Sequence, residues 1–224
     1  MPRPPKAVLF DLDGTLVDSA PDIAGALNAL LAELGHPPLA VDAVKTMVGD
    51  GGPALVDRAL RVSGRQATPV MVERFRTHYE QRLTSLTRPY PLVKQTLDQI
   101  AARGWRLGVC TNKRQAQSER ILADLGLSGC FRAVLGGDTA PARKPDPRHA
   151  LALLAALDVA PADAALVGDS HYDVGCARAA GIPSIAVAWG YSAIPAAQLG
   201  ADAVIGRFDA LPAALDGVCP HLSL

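Results

Sequence analysis

The chain lacks net charge: 22 lysines and arginines balance 22 aspartates and glutamates over 224 residues. No strong field therefore recruits nucleic acid or an anionic membrane, although this balance leaves room for a local basic pocket. Cysteine is sparse too. Cys110, Cys130, Cys176 and Cys219 stand far apart, with no Cys-x-x-Cys pair or zinc-ligand spacing, so they read as reduced, mostly buried thiols. Long apolar runs are missing: Ala150 to Leu157 is the longest notably apolar helical run, far short of the roughly 20 residues that span a bilayer. Met1-Pro2-Arg3-Pro4-Pro5-Lys6 enters a strand at once and has no signal-peptide apolar region. There is no internal repeat and no low-complexity tract. These absences set the expectation of a soluble, cytoplasmic, globular protein, monomeric or homodimeric, with neither nucleic acid nor membrane as partner.

What is present is an alternation of two textures. From Trp105 onward, short β-rich runs are each followed by a helical pattern. The runs are Arg106 to Cys110, Phe131 to Leu135, Ala164 to Val167, Ser184 to Ala188 and Ala203 to Ile205. Helices are expected near 115–125, 148–157, 174–180 and 196–199, with Gly126 and Gly181 as stops. Continuous apolar strands alternating with helices imply a parallel sheet covered on both faces. With the apolar run Ala7-Val8-Leu9-Phe10, this predicts an α/β fold with a doubly wound, Rossmann-like sheet of about six strands.

Residues 16–88 read differently. Ile23, Leu27, Leu30, Leu31 and Leu34 recur at helical spacing, and Gly35 supplies a stop. Further helices are expected over 41–48, 53–62 and 69–86, and no strand pattern is visible. The expected organisation is a core of residues 1–15 and 89–224, with a helical cap of residues 16–88 inserted after the first strand. At the ligand-binding edge of a sheet, such an insertion is well placed to act as a lid.

The richest segment is Asp11-Leu12-Asp13-Gly14-Thr15, directly after the first strand. Two carboxylates one residue apart at a strand's carboxyl end repel each other, an arrangement suited to a divalent cation or to one protonated member. An aspartate can also attack phosphorus and form an aspartyl-phosphate. Three later segments also fall at the ends of predicted elements: Thr111-Asn112-Lys113, the turn around Lys144, and Gly168-Asp169-Ser170 with Asp173. Singly, each suits a helix cap or a turn. Jointly they have the composition of a magnesium-dependent phosphoryl site. Only five lysines occur against seventeen arginines, yet Lys113 and Lys144 both fall in these segments. A lysine acts as a point charge toward phosphate, where arginine imposes a planar fork.

These four motifs closely resemble the haloacid dehalogenase-like hydrolase superfamily, and the resemblance spans essentially the whole chain. It implies a Rossmann-like core with an inserted cap and Mg2+ as cofactor. Asp11 would be the nucleophile and Asp13 the general acid, then base. Thr111, the Asn112 backbone and Lys144 would hold phosphoryl oxygens. The Asp11 carboxylate, the Asp13 main-chain carbonyl and Asp169 would bind magnesium. Asp173 would support that site or pair with Lys144, with Gly14 and Ser170 in supporting positions. Asp13 would have to carry a proton near neutral pH, with burial and the Asp11 charge as the influences favouring it.

Asp13 favours a phosphatase or mutase over a dehalogenase, because a halide leaves unprotonated. The run from Asp11 to Asn28, the segment Val48 to Leu60 and Tyr90-Pro91 look like the phosphoglycolate phosphatase branch. The characteristic cap histidine of the sugar-phosphate mutases is not found; Asp22 and Ile23 stand there. Lys45, the one lysine of the cap, reads as a solvated helix residue, not the Schiff-base lysine of the phosphonate-cleaving branch. The expected activity is hydrolysis of a small phosphate ester such as 2-phosphoglycolate, with Asp50, Gly51 and Arg58 as specificity candidates. A phosphatase for a sugar phosphate, such as N-acetylmuramic acid 6-phosphate, is the alternative. A non-catalytic binding module on the same fold would be expected to lose Asp11, Asp13, Lys144 or Asp169, and none is lost. His149 and His171 lie near the motifs and read as surface or supporting residues.

Overall fold

The computed structural model describes residues 5–62 and 64–219. The reading of Met1 to Pro4 therefore lies outside the described residues. Six parallel strands form the main sheet: β1 (Lys6–Phe10), β4 (Trp105–Cys110), β5 (Ala133–Leu135), β6 (Ala164–Gly168), β7 (Ser184–Val187) and β8 (Ala203–Ile205). Their spatial order is β5-β4-β1-β6-β7-β8, all parallel. This bears out the doubly wound α/β expectation. β1 lies between β4 and β6, and its five residues are all buried, which is why its sequence is apolar without alternation.

Helices α5 (Val93–Ala102), α6 (Gln115–Asp124), α7 (Pro147–Leu157), α8 (His171–Ala180) and α9 (Leu211–Val218) accompany the sheet. One apolar cluster includes Val8, Phe10, Leu97, Ile100, Val167 and Leu215; a second includes Ala7, Leu9, Leu153, Leu157 and Ala177. Successive β1 side chains thus feed opposite faces of the sheet, as a strand's two-residue period requires. The periodicity reading did not single out α5 or α9. The turn expected as a helix at 196–199 is a single 3-10 turn, Ala196–Gln198.

Between β1 and β4 lie α1 (Ala20–Glu33), α2 (Val41–Lys45), α3 (Gly52–Arg61) and α4 (Pro69–Glu80). Two of the expected helices are shorter than the pattern suggested. α2 stops at Lys45, and α4 ends at Glu80 before a run of turns. Lys45 is partly exposed and pairs with Asp42. The segment also holds a strand pair that its pattern did not show: β2 (Val17–Asp18) antiparallel to β3 (Arg88–Pro89). These are the two linkers that leave and rejoin the sheet. Asp22 fixes the return linker. Its buried Oδ2 accepts from Leu86 N (2.8 Å), Thr87 N (2.7 Å) and Thr87 Oγ1 (2.8 Å).

Candidate active site

β1, β4 and β6 end side by side, so the segments that follow them meet at one sheet edge, where parallel α/β folds bind ligands. Asp11 continues β1, with its amide donating to Val167 O at 2.9 Å. Lys144 Nζ lies 2.9 Å from Asp11 Oδ1 and 2.6 Å from Asp173 Oδ1. Asp11, Lys144, Asp169 and Asp173 are all buried. Burial pushes the Asp11 carboxyl up to about 6; the Lys144 ammonium works against this, while Asp173 and Asp13 reinforce it. Burial opposes the Lys144 charge as well, but Asp11 and Asp173 outweigh it and hold the ammonium well above its ordinary range.

Asp169 sits beyond the end of β6, with Oδ2 accepting from Tyr191 N at 2.6 Å. Burial, then Asp173 and Asp11, push its carboxyl well above the usual range. Three acidic groups crowded without enough positive charge are expensive to ionise. Oxygen atoms of Asp11, Asp169 and Asp173 lie within 4.8 Å of one another. Clustered, buried carboxylates are hard-oxygen donors of the kind a divalent cation such as magnesium takes, and its charge would offset their crowding. Asp173 is the member already spoken for. Its Oδ1 takes Lys144, and its Oδ2 accepts from Ser170 N (3.0 Å) and Ser170 Oγ (2.6 Å). Ser170 and Asp173 form a capping box at the start of α8. Of the two roles foreseen for Asp173, pairing with Lys144 is the one its contacts satisfy.

Gly14 makes room for this cluster. Its φ is +82°, and a Cβ there would stand 2.4 Å from Asp169 Oδ2. Any side chain would be strained and would push Asp169 aside.

Asp13 has a neighbour that the reading of burial and Asp11 left out. Lys113 Nζ lies 3.0 Å and 2.8 Å from its two carboxylate oxygens, and Ser19 Oγ donates to Oδ1 at 2.5 Å. Lys113 also donates to Tyr79 OH of α4 at 2.8 Å. Burial disfavours the Lys113 charge, yet Asp13 and the Tyr79 oxygen outweigh it and raise its pKa. Burial likewise pushes the Tyr79 hydroxyl up to about 12, so it stays protonated. Lys113 thus touches Asp13 here, whereas the sequence reading gave it a phosphate-facing charge.

Thr111 and Asn112 continue β4. Thr111 N donates to Leu135 O at 3.2 Å. The Asn112 side chain is a clasp: Oδ1 accepts from Lys144 N (2.9 Å), and Nδ2 donates to Lys144 O and Gly49 O, each at 3.0 Å. It therefore orients the Lys144 loop and touches the loop ahead of α3. In that loop Gly51 has φ +87°, and a Cβ would lie 3.1 Å from Asn112 O, so a side chain there would be strained and crowded. His149 is fully buried, with Nε2 3.0 Å from Leu135 O. It belongs to the packing beneath the site.

A cavity of about 160 Å³ opens between the strand ends and the helices, lined by residues including Asp11, Asp13, Thr111, Asn112, Lys113 and Tyr79. Arg76, Arg114 and Arg143 also line it. Arg58 does not. It lines a second cavity of about 310 Å³, whose walls also include Asp169, Ser170, Tyr172 and Asp13, the last lining both cavities. Its guanidinium is committed to the Asp50 carboxylate, to Tyr172 OH (3.1 Å) and to Met47 O (2.8 Å), while Tyr172 OH donates to Asp50 at 2.6 Å. Arg58 and Asp50 thus satisfy each other. Ser19, Tyr79, Tyr172 and Tyr191 escaped the sequence reading, because each meets its partner only through the fold.

Comparison with known proteins fits this geometry. The family model for haloacid dehalogenase-like hydrolases matches residues 8–187. A phosphoglycolate phosphatase of Caulobacter vibrioides is 43% identical over 211 residues, covering 92% of this chain and 89% of that protein. A phosphoglycolate phosphatase of Rhodospirillum rubrum is 46% identical over 215 residues, with the same two coverages of 92% and 89%. Among solved structures, a predicted phosphoglycolate phosphatase from Haemophilus somnus superposes with a TM-score of 0.87 at 32% identity, covering 94% of this chain and 97% of that one. Motifs, sheet topology and relatives agree, and the chain belongs to the haloacid dehalogenase-like hydrolases as an enzyme of the phosphatase type.

Proposed function

We propose that the protein hydrolyses a small anionic phosphate ester, 2-phosphoglycolate in the first instance, through an aspartyl-phosphate on Asp11. The observation that carries this reading is the cavity lined by Asp11, Asp13, Thr111 and Asn112, with arginines among its walls. Its volume of about 160 Å³ suits a compact ester, and Arg143 on its wall, which donates to Gly137 O at 3.0 Å rather than to a carboxylate, favours an anionic leaving group. The names of the relatives from Caulobacter vibrioides and Rhodospirillum rubrum support the same substrate.

In this reading residues 1–15 and 89–224 are the catalytic core, and residues 16–88 are a cap over the cavity. Asp11 attacks phosphorus with one carboxylate oxygen, and the ester P–O bond breaks. Asp13 gives the leaving oxygen its proton, so glycolate departs as the neutral alcohol. Asp13 then takes a proton from water; the water oxygen attacks phosphorus, the bond to Asp11 breaks, and inorganic phosphate leaves. Because Lys113 holds Asp13 in this conformation, proton delivery requires Asp13 to exchange that contact for the ester oxygen. Thr111, the Asn112 main-chain N–H and Lys144 bind the transferring phosphoryl oxygens. Lys144 also offsets the charge of Asp11 so that two anions can meet. Asp11, Asp169 and the Asp13 main-chain carbonyl would hold Mg2+, which when bound supplies charge neutralisation at the phosphoryl group.

The test is catalytic efficiency on 2-phosphoglycolate, glucose 6-phosphate and N-acetylmuramic acid 6-phosphate, with magnesium and with excess chelator. The expected result is a preference for 2-phosphoglycolate that chelation abolishes. Faster turnover of either sugar phosphate would overturn the substrate, and undiminished activity in chelator would overturn the metal.

A further inference from the structure

Ser19 is the N-cap residue of α1, the place where a serine hydroxyl ordinarily accepts a backbone N–H of the first turn. Here it makes no such bond, because its Oγ is given to Asp13 Oδ1 at 2.5 Å. The start of α1 is capped instead from far along the chain. Tyr191 OH accepts from Ser19 N at 2.7 Å and from Ala20 N at 2.9 Å, and donates to Asp18 Oδ1 at 2.7 Å. A hydroxyl has two acceptor positions and one proton, so all three are used. The same residue's main-chain N–H donates to Asp169 Oδ2 at 2.6 Å. Tyr191 is buried, and its ring packs where a Cβ on Gly14 would come within 3.0 Å.

We propose that Tyr191 is a positioning residue that locks the first linker, 17–20, to the loop bearing Asp169. Through Ser19 the linker also reaches Asp13. One residue, through its hydroxyl and its main-chain N–H, therefore sets two carboxylates and the entry to α1 in a fixed relation, and displacement of α1 is transmitted to both. The importance of Asp13 and Asp169 rests on the proposed phosphatase reading; the tether itself does not.

The test is Tyr191→Phe in the full chain, which keeps the ring and the main-chain N–H and removes only the hydroxyl. Amide hydrogen exchange at Ser19, measured without metal or substrate, is expected to quicken about tenfold because that N–H loses its acceptor, with a smaller rise at Ala20, whose N–H also reaches Asp18 Oδ1 at 3.3 Å. Turnover of 2-phosphoglycolate is expected to lose about five- to tenfold in kcat with KM changed less than twofold, the pattern of misplaced reacting groups with intact substrate binding. Unchanged exchange at both amides would overturn the tether, whatever substrate the enzyme prefers. Faster exchange with unchanged kcat would reduce Tyr191 to a helix cap and overturn the positioning role. Asp18→Ala, which deletes the acceptor of the Tyr191 proton, should shift both readouts in the same direction by a smaller factor; a shift in neither would count against the proposal.

Discussion

The sheet side and the helical side of the site are built on different terms. On the sheet side, Asp11, Lys144, Asp169 and Asp173 are nearly inaccessible, and Asp11 and Asp169 directly follow strands whose backbone is fixed by the parallel ladder. On the helical side, the Arg58–Asp50 pair keeps 35% and 32% of its side-chain surface exposed and sits on a loop and a short helix. In the first setting, removing one charge strands its partners in a dry environment, at a cost of about 3–5 kcal/mol. In the second, water screens the loss, and such a pair is worth about 0–1 kcal/mol. In the proposed reading, the contrast places the chemistry on the sheet side, while the helices contribute more exposed contacts. Tyr79 is the exception: a residue of α4 buried deeply enough to act on the sheet side through Lys113.

The contrast can be broken most sharply at Asp11. Asp11→Asn should lower kcat by at least about 10³-fold with the fold retained, since an amide is a poor nucleophile toward phosphorus. Circular dichroism and steady-state rates check this together, and activity near wild type would remove Asp11 from the mechanism. Next comes Lys144→Met, expected to abolish measurable turnover and to cost about 3–5 kcal/mol of stability in denaturant titration, because Asp11 and Asp173 are left facing each other. A cost below about 1 kcal/mol would mean that the buried cluster relaxes as easily as a surface pair.

An intermediate effect is expected at Tyr79→Phe. Lys113 loses one of its hydrogen bonds but keeps Asp13, so kcat should fall by about threefold to tenfold while stability changes by about 1–2 kcal/mol. An effect as large as that of Asp11→Asn would make the helical side a full partner in the chemistry. Smallest of all should be Arg58→Met. With its charge already satisfied by Asp50, kcat/KM on 2-phosphoglycolate should change by less than about threefold. A loss above tenfold, confined to carboxylated substrates, would restore Arg58 as the residue that binds the leaving group's carboxylate.

What could be read in the sequence follows the same division. The runs at Ala7 to Phe10, Arg106 to Cys110 and Ala164 to Val167 are apolar because both faces of those strands are covered, and the motif residues follow directly in chain order. Strand and site were therefore legible together. α5 and α9 lie at the edges of that pattern and were not picked out by periodicity. The β2–β3 pair is two residues long on each strand and joins segments on either side of the helices, so no local pattern marks it. Tyr191 and Tyr172 are 172 and 122 residues from the partners they bind. Ser19 carried a local signal, since it is a standard N-cap residue, but that signal points to its own helix and away from Asp13. Lys113 stood out by type and position, and only the fold shows that its charge is directed at Asp13.

The central claim is that phosphorus becomes covalently bonded to Asp11. The most direct test is to mix enzyme, magnesium and excess 2-phosphoglycolate, quench within one turnover, reduce with borohydride and map the product by mass spectrometry. Acyl phosphates are reduced to the alcohol, so homoserine should appear at position 11, only with substrate, and not in Asp11→Asn. Continued turnover with Asp11 unreduced, or homoserine at another aspartate, would contradict the account.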